Sequence, residues 1–252
     1  MTELQFHRAL SFGVIATGVL VFVLLFRITA PYGRHARRGW GPTISSRLGW
    51  MSMESPAVIG FSAIYLMGRH ALDPVPAGLA ALWLSHYVYR AFIYPLRLRA
   101  AAKPMPLVVA LMAIVFNLVN AYLNARWLSE LGRYPLSFAG EVRPWLGIAA
   151  IAIGFAVNVH SDNILLALRS PGDQSYKIPH GGAFRWLSSP NYAAELLEWA
   201  GWALATWSLA GLAFFLFTFA NLAPRALTHH AWYRRTFAEY PRARRALIPF
   251  LW

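Results

Sequence analysis

The chain has 252 residues, of which 58% are apolar and only 13% are charged, and it contains no cysteine. Soluble globular domains average roughly 45–50% apolar and about 25% charged residues, so this composition excludes a soluble two-domain protein and indicates an integral membrane protein. The missing cysteines exclude disulfides, thiolate catalysis and thiolate metal sites.

Six apolar runs predict membrane-spanning helices, because one span needs about 20 apolar residues. They lie near residues 9–29, 51–68, 75–94, 106–128, 145–166 and 193–222. The last run is too long for one upright helix, and a break at Gly201 or at Trp207 and Ser208 would divide it in two. We therefore expect an all-α polytopic membrane protein with about seven transmembrane helices, six being the alternative, in one domain over 1–252.

The net charge of +13 is unevenly distributed. Most basic residues lie in alternate loops and in the C-terminal tail, whereas the second and fourth loops nearly balance their charges. By the positive-inside rule, the basic loops and the C-terminus face the cytoplasm and the N-terminus faces out. Membrane topology therefore explains the positive charge without a nucleic-acid partner. The first loop, which is rich in Gly, Pro and Arg, is predicted to be a cytoplasmic cover.

Glu54 opens the second run with almost no charged neighbour in sequence. It lies either in the interface or deep enough to face a cavity, and we favour the cavity because an acid inside a membrane is a functional candidate by default. In the third run, Tyr87, Arg90 and Tyr94 share a helical face, although tyrosines at membrane interfaces are common.

Three asparagines form an amide stripe in the fourth run. Asn117, Asn120 and Asn124 follow the i, i+3, i+7 spacing of one helical face. They either join neighbouring helices or line a pocket.

Polar faces also recur between residues 158 and 199. Asn158, Asp162 and Arg169 fall on one face of a helix, and Asn191, Glu195 and Glu198 fall on one face of the next. Burying such groups in apolar helices costs several kcal/mol or so unless they find partners. The pattern predicts a polar ligand between the two helices.

The tail repeats this spacing with Arg225, His229 and Tyr233. It is either an amphipathic surface helix or a row of donors along a phosphate-bearing ligand. The sequence has no G-x-G-x-x-G after a strand, no P-loop and no H-E-x-x-H, and His229 with His230 lacks the spacing and partners of a metal site, so we predict no metal.

From about residue 154 onward the sequence resembles the membrane-embedded steroid 5α-reductases, and we expect a bacterial-type homologue. The N-terminal half matches through Glu54 and the run His86-Tyr87-x-x-Arg90-x-Phe92-x-Tyr94. The matching C-terminal motifs are Asn158-Val-His160-Ser161-Asp162-Asn163, Leu168-Arg169-Ser-Pro171-Gly172, Tyr176-Lys177-Ile178-Pro179, Pro190-Asn191-Tyr192 to Glu195, Glu198-Trp199 and Tyr240-Pro241-x-x-Arg244-Arg245.

The resemblance implies a seven-helix reductase that moves a hydride from NADPH to C5 of a 3-oxo-Δ4 steroid. Glu54 and Tyr87 would hydrogen-bond the C3 carbonyl, and Trp199 and Phe116 would flank the steroid. Substrate-side helices would occupy about 1–130 and the cofactor half about 145–252. The implied cofactor ligands are Asn158, Asp162, Arg169, Tyr176, Asn191, Glu195, Arg225, His229 and Tyr233.

We expect a lipophilic steroid from the bilayer as substrate, membrane lipid as surroundings, a monomer, and a cofactor site facing the cytoplasm. The alternatives are a related reductase of enoyl-CoA or polyprenol, a helical-bundle methyltransferase, and a proton-coupled transporter that uses Glu54 and Asp162 as a relay. Met53 and Ala194 depart from the family pattern and bear on substrate preference more than on reaction type.

Overall fold

The computed structural model describes residues 1–98, 104–168 and 175–249. Within these ranges the chain forms seven continuous helical rods, joined by short 3-10 turns and one pair of two-residue antiparallel strands, β1 (Thr43–Ile44) and β2 (Met105–Pro106). The all-α class predicted from the sequence is confirmed. The rods are α1 (Glu3–Arg27), α2 (Ser46–Leu66), α3 (Pro74–Val88) continued by a π-helical turn (Tyr89–Ile93) and α4 (Tyr94–Arg97), α5 (Leu107–Arg126) continued by a π-helical turn (Trp127–Leu131), α6 (Val142–Ala167), α7 (Pro190–Thr206) and α8 (Leu209–Thr236).

Four rods in the described ranges are long and apolar enough to cross a membrane, namely Glu3–Arg27, Leu107–Leu131, Val142–Ala167 and Leu209–Thr236. Their outer faces expose large apolar side chains, such as Leu20 on α1 and Val115 on α5, which suits lipid rather than water. The chain is therefore a membrane protein.

The other three rods are shorter or less apolar. Helix α7 has 17 residues, which span about 26 Å at about 1.5 Å per residue, against a hydrocarbon core of about 30 Å. Helices α2, α3 and α7 also carry several of the polar groups described below. The seven spans expected from the sequence stay a prediction.

The apolar run 193–222 breaks at Trp207. This residue ends α7 with φ 45°, a left-handed conformation that is uncommon outside glycine. Ser208 then begins α8 as its N-cap, and its hydroxyl accepts a hydrogen bond from the N–H of Gly211 at 2.9 Å, which satisfies one of the free donors of the first turn. The expected break at Trp207 and Ser208 is confirmed, and Gly201 lies inside α7.

Helices α6 and α7 approach each other so closely that their backbones touch. A Cβ on Gly147 would lie 2.6 Å from the carbonyl oxygen of Gly201, and a Cβ on Gly154 would lie 2.6 Å from that of Ala194. Real Cβ atoms essentially never make contacts this short, so only glycine fits at these positions. Small residues that let backbones approach are typical of helix contacts in membranes.

A cluster of aromatic side chains fills the centre of the bundle. Trp83 of α3 is fully buried, stacks on Phe61 of α2 at 4.9 Å between ring centroids, and donates its indole N–H to the carbonyl of Ala57 at 2.9 Å. Trp202 of α7 contacts Trp83 at 5.1 Å. Buried indoles usually need such a polar partner, and these contacts hold α2, α3 and α7 together beneath the cavity described below.

The π-helical turn after α3 sets the direction of Arg90. The N–H of Tyr94 bonds the carbonyl of Tyr89, one residue further back than in an α-helix, just before Pro95, which has no N–H to donate. Single π turns of this kind are frequent at functional sites. Here the turn places the guanidinium of Arg90 against α6.

We predict that Gly154→Ala destabilises the protein by about 1–3 kcal/mol, because the added methyl group forces the α6 and α7 backbones apart. The measurement is the midpoint of thermal unfolding in detergent. Gly78→Ala is the matched control, since a Cβ on Gly78 of α3 meets no atom within 4 Å and alanine favours a helix over glycine by about 1 kcal/mol. Equal midpoints for the two variants would contradict the proposed backbone contact.

Candidate functional site

A cavity of about 500 Å³ lies among α1, α2, α3, α5, α7 and α8 and is closed at one end by the segment after α1. Apolar side chains of α1, α5 and α8 form most of its wall, including Leu24, Met112 and Phe217. The volume is in the range of a site for a medium-sized organic molecule. Polar groups reach it from one side and one end, where Glu54, His86, Tyr87, Arg90, Asn117, Glu195, Asn221 and Arg225 line the wall.

Glu54 faces this cavity from α2 rather than the membrane interface. The side-chain amide of Asn117 on α5 donates to a Glu54 carboxylate oxygen at 3.3 Å and to the carbonyl of Met53 at 2.6 Å. The hydrogen bond from Asn117 offsets part of the free energy lost when the carboxyl group leaves water for an apolar wall. Of the two positions that the sequence left open for Glu54, the structure favours the cavity.

The amide stripe on α5 serves both expected purposes. Asn117 lines the cavity, whereas Asn124 accepts the indole N–H of Trp202 on α7 at 2.8 Å and donates to the side-chain oxygen of Asn120 at 2.8 Å. Asn117 therefore belongs to the pocket, Asn124 joins α5 to α7, and Asn120 bonds Asn124 within α5.

Tyr87 lies on the same wall as Glu54, and its phenol ring is held by stacked aromatic side chains. Its ring is stacked on Trp199 of α7, at 5.6 Å between centroids and 27° between planes, and contacts Trp83 at 4.8 Å. Trp199 does not line the cavity and supports Tyr87 from behind. Phe116 does line it, and it stacks on Phe217 at 3.9 Å.

Arg90 and Asp162 form a buried ion pair between the π turn and α6. The guanidinium lies 3.0 Å from the carboxylate, and Asp162 is 2% exposed. Asn191 of α7 also hydrogen-bonds this carboxylate, while the side-chain amide of Asn158 donates to the backbone carbonyl of Asn191 at 2.9 Å. The predicted polar faces of α6 and α7 therefore meet at Asn158, Asp162 and Asn191. Arg90 joins this contact by pairing with Asp162.

Arg225 lies where α8 meets the end of the cavity. Its Nε donates to the hydroxyl of Tyr192 at 2.8 Å, and its guanidinium lies 3.7 Å above the ring of Tyr32, which follows α1. His229, one turn later, stacks on His35 at 5.2 Å and 19°. Arg225, His229 and Tyr233 therefore form an inward-facing row on α8. The segment Tyr32–His35 covers this row.

Arg34 lies in an aromatic box at the far end of this row. Its guanidinium is 4.5 Å from the ring centroid of Tyr233, 5.0 Å from that of Trp232 and 5.5 Å from that of Tyr176. Cation–π contacts of this kind fix both the charge and the rings. Tyr176 and Tyr233 are thus brought together, whereas Arg169 lies outside the described residues.

Sequence reasoning missed the part that the first loop plays. It predicted a cover from the Gly, Pro and Arg content but assigned no role to Tyr32, Arg34 or His35, because loop contacts with a helix some 190 positions later leave no periodic signal. Tyr192 and the pairing of His86 with Glu198 were missed for the same reason.

Four buried nitrogen atoms in this region have no hydrogen-bond partner, namely Nη1 of Arg34 and of Arg225 and Nε2 of His35 and of His229. Arginine guanidiniums bind phosphate oxygens through parallel hydrogen bonds, so these residues fit a ligand that carries phosphate groups. Within the described ranges, no group of three or more His, Cys, Asp or Glu side chains is arranged to hold a metal ion.

The fold and the cavity together define a helical membrane protein in which an apolar chamber meets a basic, donor-rich end. A family model described as 3-oxo-5-alpha-steroid 4-dehydrogenase matches residues 103–252. The chain is 42% identical to the tomato protein "Steroid 5-alpha-reductase DET2" over 96% of this chain and 95% of that protein. It is 39% identical to the human protein "3-oxo-5-alpha-steroid 4-dehydrogenase 1" over 100% and 97% of the two chains.

The chain therefore belongs to the steroid 5-alpha-reductase family. This confirms the resemblance found in the sequence, while a bacterial type stays a prediction. In both pairs the match covers nearly the whole length of each chain, so the family assignment holds for both halves.

We predict that the folded protein loses stability on acidification through His35. Burial and the nearby charges of Arg225 and Arg34 lower the pKa of His35 to about 4, against about 6.5 in an unfolded chain. The folded state then binds this proton more weakly than the unfolded state. The contribution of His35 to the free energy of unfolding is therefore complete above pH 6.5, and it declines as the pH falls from there toward 4.

The measurement is the midpoint of thermal unfolding between pH 7.5 and 4.5 for the wild type and His35→Gln. The wild-type midpoint should fall more steeply with decreasing pH than that of the variant. Parallel curves would show that His35 is not held neutral by its neighbours.

Proposed function

We propose that this chain is an NADPH-dependent reductase that saturates the Δ4 double bond of 3-oxo-Δ4 steroids to give 5α-dihydro-3-oxosteroids. The observation that carries the proposal is an apolar cavity with a carboxyl–amide pair and a buried phenol on one wall and a basic, donor-rich end. Relatives named as steroid 5-alpha-reductases support the substrate class and the stereochemistry.

The proposed role of Tyr87 and Glu54 is to polarise the C3 carbonyl. Hydride addition to the β-carbon of an enone builds negative charge on the carbonyl oxygen, and donors aimed at that oxygen in a dry site stabilise it as it forms. The phenol of Tyr87 donates to the oxygen, and the carboxyl group of Glu54, held by Asn117, donates to the same oxygen when it is protonated. Phe116 packs against the apolar rings, and Trp199 keeps the phenol in place through its stacking on Tyr87.

The proposed cofactor ligands follow α6, α7, α8 and the first loop. Arg225, Arg34 and His229 bind phosphate oxygens through the donors that have no protein partner. Tyr176 and Tyr233 pack beside the cofactor, and Asn158, Asp162, Asn191 and Glu195 bind its polar end nearest the cavity. Arg169, outside the described residues, stays a predicted ligand. NADPH, when bound, supplies the hydride that is transferred to C5.

We also propose that all seven rods cross or enter the bilayer, with the N-terminus outside and the C-terminus and the cofactor end in the cytoplasm. The first loop, rich in arginine, lies over the end of α8 that carries Arg225 and His229, which puts the basic groups at one end as the positive-inside rule requires. Residues 1–252 form one domain, with the substrate side in about 1–130 and the cofactor side in about 145–252. We propose that the chain acts as a monomer.

Family membership favours this activity over methyl transfer or proton-coupled transport. A reductase of enoyl-CoA or polyprenol would use the same cofactor end with a different substrate. The activity assay below separates these possibilities.

We predict that Tyr87→Phe and Glu54→Gln each lower the steroid turnover number by about 10²–10³-fold, the usual effect of removing one donor to a developing oxyanion. NADPH affinity should stay within twofold of wild type. The measurement is NADPH consumption with progesterone or testosterone in detergent, with the product identified by mass and retention time. Tyr122→Phe, which alters a phenol outside the cavity, is the matched control.

If both variants keep the wild-type turnover number, Tyr87 and Glu54 are not the polarising pair. If the wild type is stabilised by NADPH yet reduces no steroid, the substrate is an enoyl-CoA or a polyprenol. If the wild type is neither stabilised by NADPH nor able to reduce a steroid, the reductase proposal is wrong.

We predict that Arg225→Gln weakens NADPH binding by about 10–100-fold, because a hydrogen bond to a charged group contributes about 1.5–3 kcal/mol. The measurement is a thermal-shift titration with NADPH. Arg143→Gln serves as the control, since Arg143, in the first turn of α6, pairs with the exposed Glu141 and does not line the cavity. Equal affinities for the two variants would contradict phosphate binding at Arg225.

A further inference from the structure

His86 of α3 and Glu198 of α7 form a buried hydrogen-bonded pair that the polarising mechanism does not use. The imidazole Nδ1 lies 2.8 Å from a Glu198 carboxylate oxygen, and the two side chains are 4% and 1% exposed. The second carboxylate oxygen of Glu198 is buried without a hydrogen-bond partner. Glu198 does not line the cavity, but His86 does.

The pair adjoins the catalytic phenol through both helices. His86 precedes Tyr87 on α3, and Glu198 precedes Trp199 on α7. The His86 ring meets Tyr87 edge to face at 5.0 Å and Trp199 at 4.5 Å between centroids. The hydrogen bond between His86 and Glu198 therefore lies beside the stack of Tyr87 on Trp199.

Burying a pair of this kind costs desolvation free energy that packing alone does not require. Apolar side chains of similar volume are often as stable as a buried ion pair, or more stable, and the surrounding cluster is already aromatic. An imidazole that faces a cavity, with a carboxylate bound to its other nitrogen, is a common arrangement for a group that holds or transfers a proton.

The proposed reaction needs such a proton close to Tyr87. Hydride addition at the β-carbon leaves an enolate, which must gain a proton at the α-carbon. That carbon is bonded to the carbonyl carbon whose oxygen Tyr87 polarises, so the proton donor has to lie next to the phenol. Among the described residues that line the cavity, His86 is the histidine in this position.

We propose that His86 protonates the α-carbon of the enolate and that Glu198 orients and charge-balances its imidazolium. In this step the imidazolium Nε2–H bond breaks, a C–H bond forms at C4, and the enolate electron pair becomes that bond as the C3 carbonyl is restored. Neutral His86 stays hydrogen-bonded to Glu198 and regains its proton from water before the next turnover. This inference rests on the proposed reductase function.

Other charged groups around His86 have different partners. Arg90, one turn further along, pairs with Asp162, and Glu54 of α2 is bonded by Asn117 on the carbonyl side of the cavity. Phe155, the neighbour of the His86 ring on α6, carries no charge. Glu195 lies one turn before Glu198 on α7 and is assigned above to the cofactor end.

The test is steroid turnover by His86→Ala with and without added imidazole. A positioned proton donor contributes about 10²–10⁴-fold, so turnover should fall at least 10²-fold at unchanged NADPH affinity. Free imidazole should restore part of it by occupying the space the side chain left. His70→Ala, an exposed histidine paired with Asp73, should keep wild-type turnover and show no imidazole effect.

Glu198→Gln gives an independent readout, and it decides the matter if His86→Ala does not fold. Without the carboxylate, proton transfer should become the slow step, so the solvent deuterium isotope effect on turnover should exceed the wild-type value. Turnover of folded His86→Ala within threefold of wild type, or a loss that imidazole does not restore, overturns the proposal. An unchanged isotope effect in Glu198→Gln also overturns it. Absence of steroid turnover in the wild type would instead count against the reductase function itself.

Discussion

Placing charged and amide groups inside an apolar bundle is the constraint on which this structure depends. Each such group loses its hydration and must find a partner in the protein. Helix α3 and the turn that follows it carry two of these groups, and they bind in different directions, Arg90 to Asp162 on α6 and His86 to Glu198 on α7. The bonds that offset desolvation are therefore the same bonds that fix the polar wall of the cavity.

The cavity separates two kinds of surface that perform different tasks. Aliphatic and aromatic side chains from α1, α5 and α8 exclude water and offer an apolar molecule no specific polar contact. Low polarity on that side strengthens every hydrogen bond made on the other, since charge interactions grow as the surroundings become less polarisable. A few donors, placed on one wall and one end, can then act strongly.

Periodicity within one helix was enough to predict much of this site. Asn158 and Asp162 share a face of α6 as expected, and Arg225, His229 and Tyr233 form an inward row on α8. The break at Trp207 was among the predicted alternatives because a run of thirty apolar residues exceeds one span. Glu54 was a candidate because it is an acid inside an apolar run, whereas the inclusion of Tyr87 depended on family resemblance, since spacing alone did not distinguish it from an interfacial tyrosine.

Contacts between distant parts of the chain were beyond sequence reasoning. The bond from His86 to Glu198 joins residues 112 positions apart, and the stack of His35 on His229 joins a loop to the last helix. Such pairs follow from how rods are arranged, which hydrophobic patterns do not specify. The number of membrane spans does not follow from the apolar runs either, because α2, α3 and α7 are shorter or less apolar than the four rods that can cross a membrane by length and composition.

The pairing of α1 with α8 has a consequence for the order of assembly. Gly18 of α1 lies against the backbone of Phe217, and Phe22 stacks on Phe219 at 6.1 Å, so one face of α1 is completed by α8. During synthesis, α1 must wait in the membrane with this face unpartnered while about 180 further residues are added, since chains are made from the N-terminus onward. The cavity, whose walls include both helices, is then closed only when α8 arrives, so ligand binding there depends on a pairing between helices that are synthesised far apart in time.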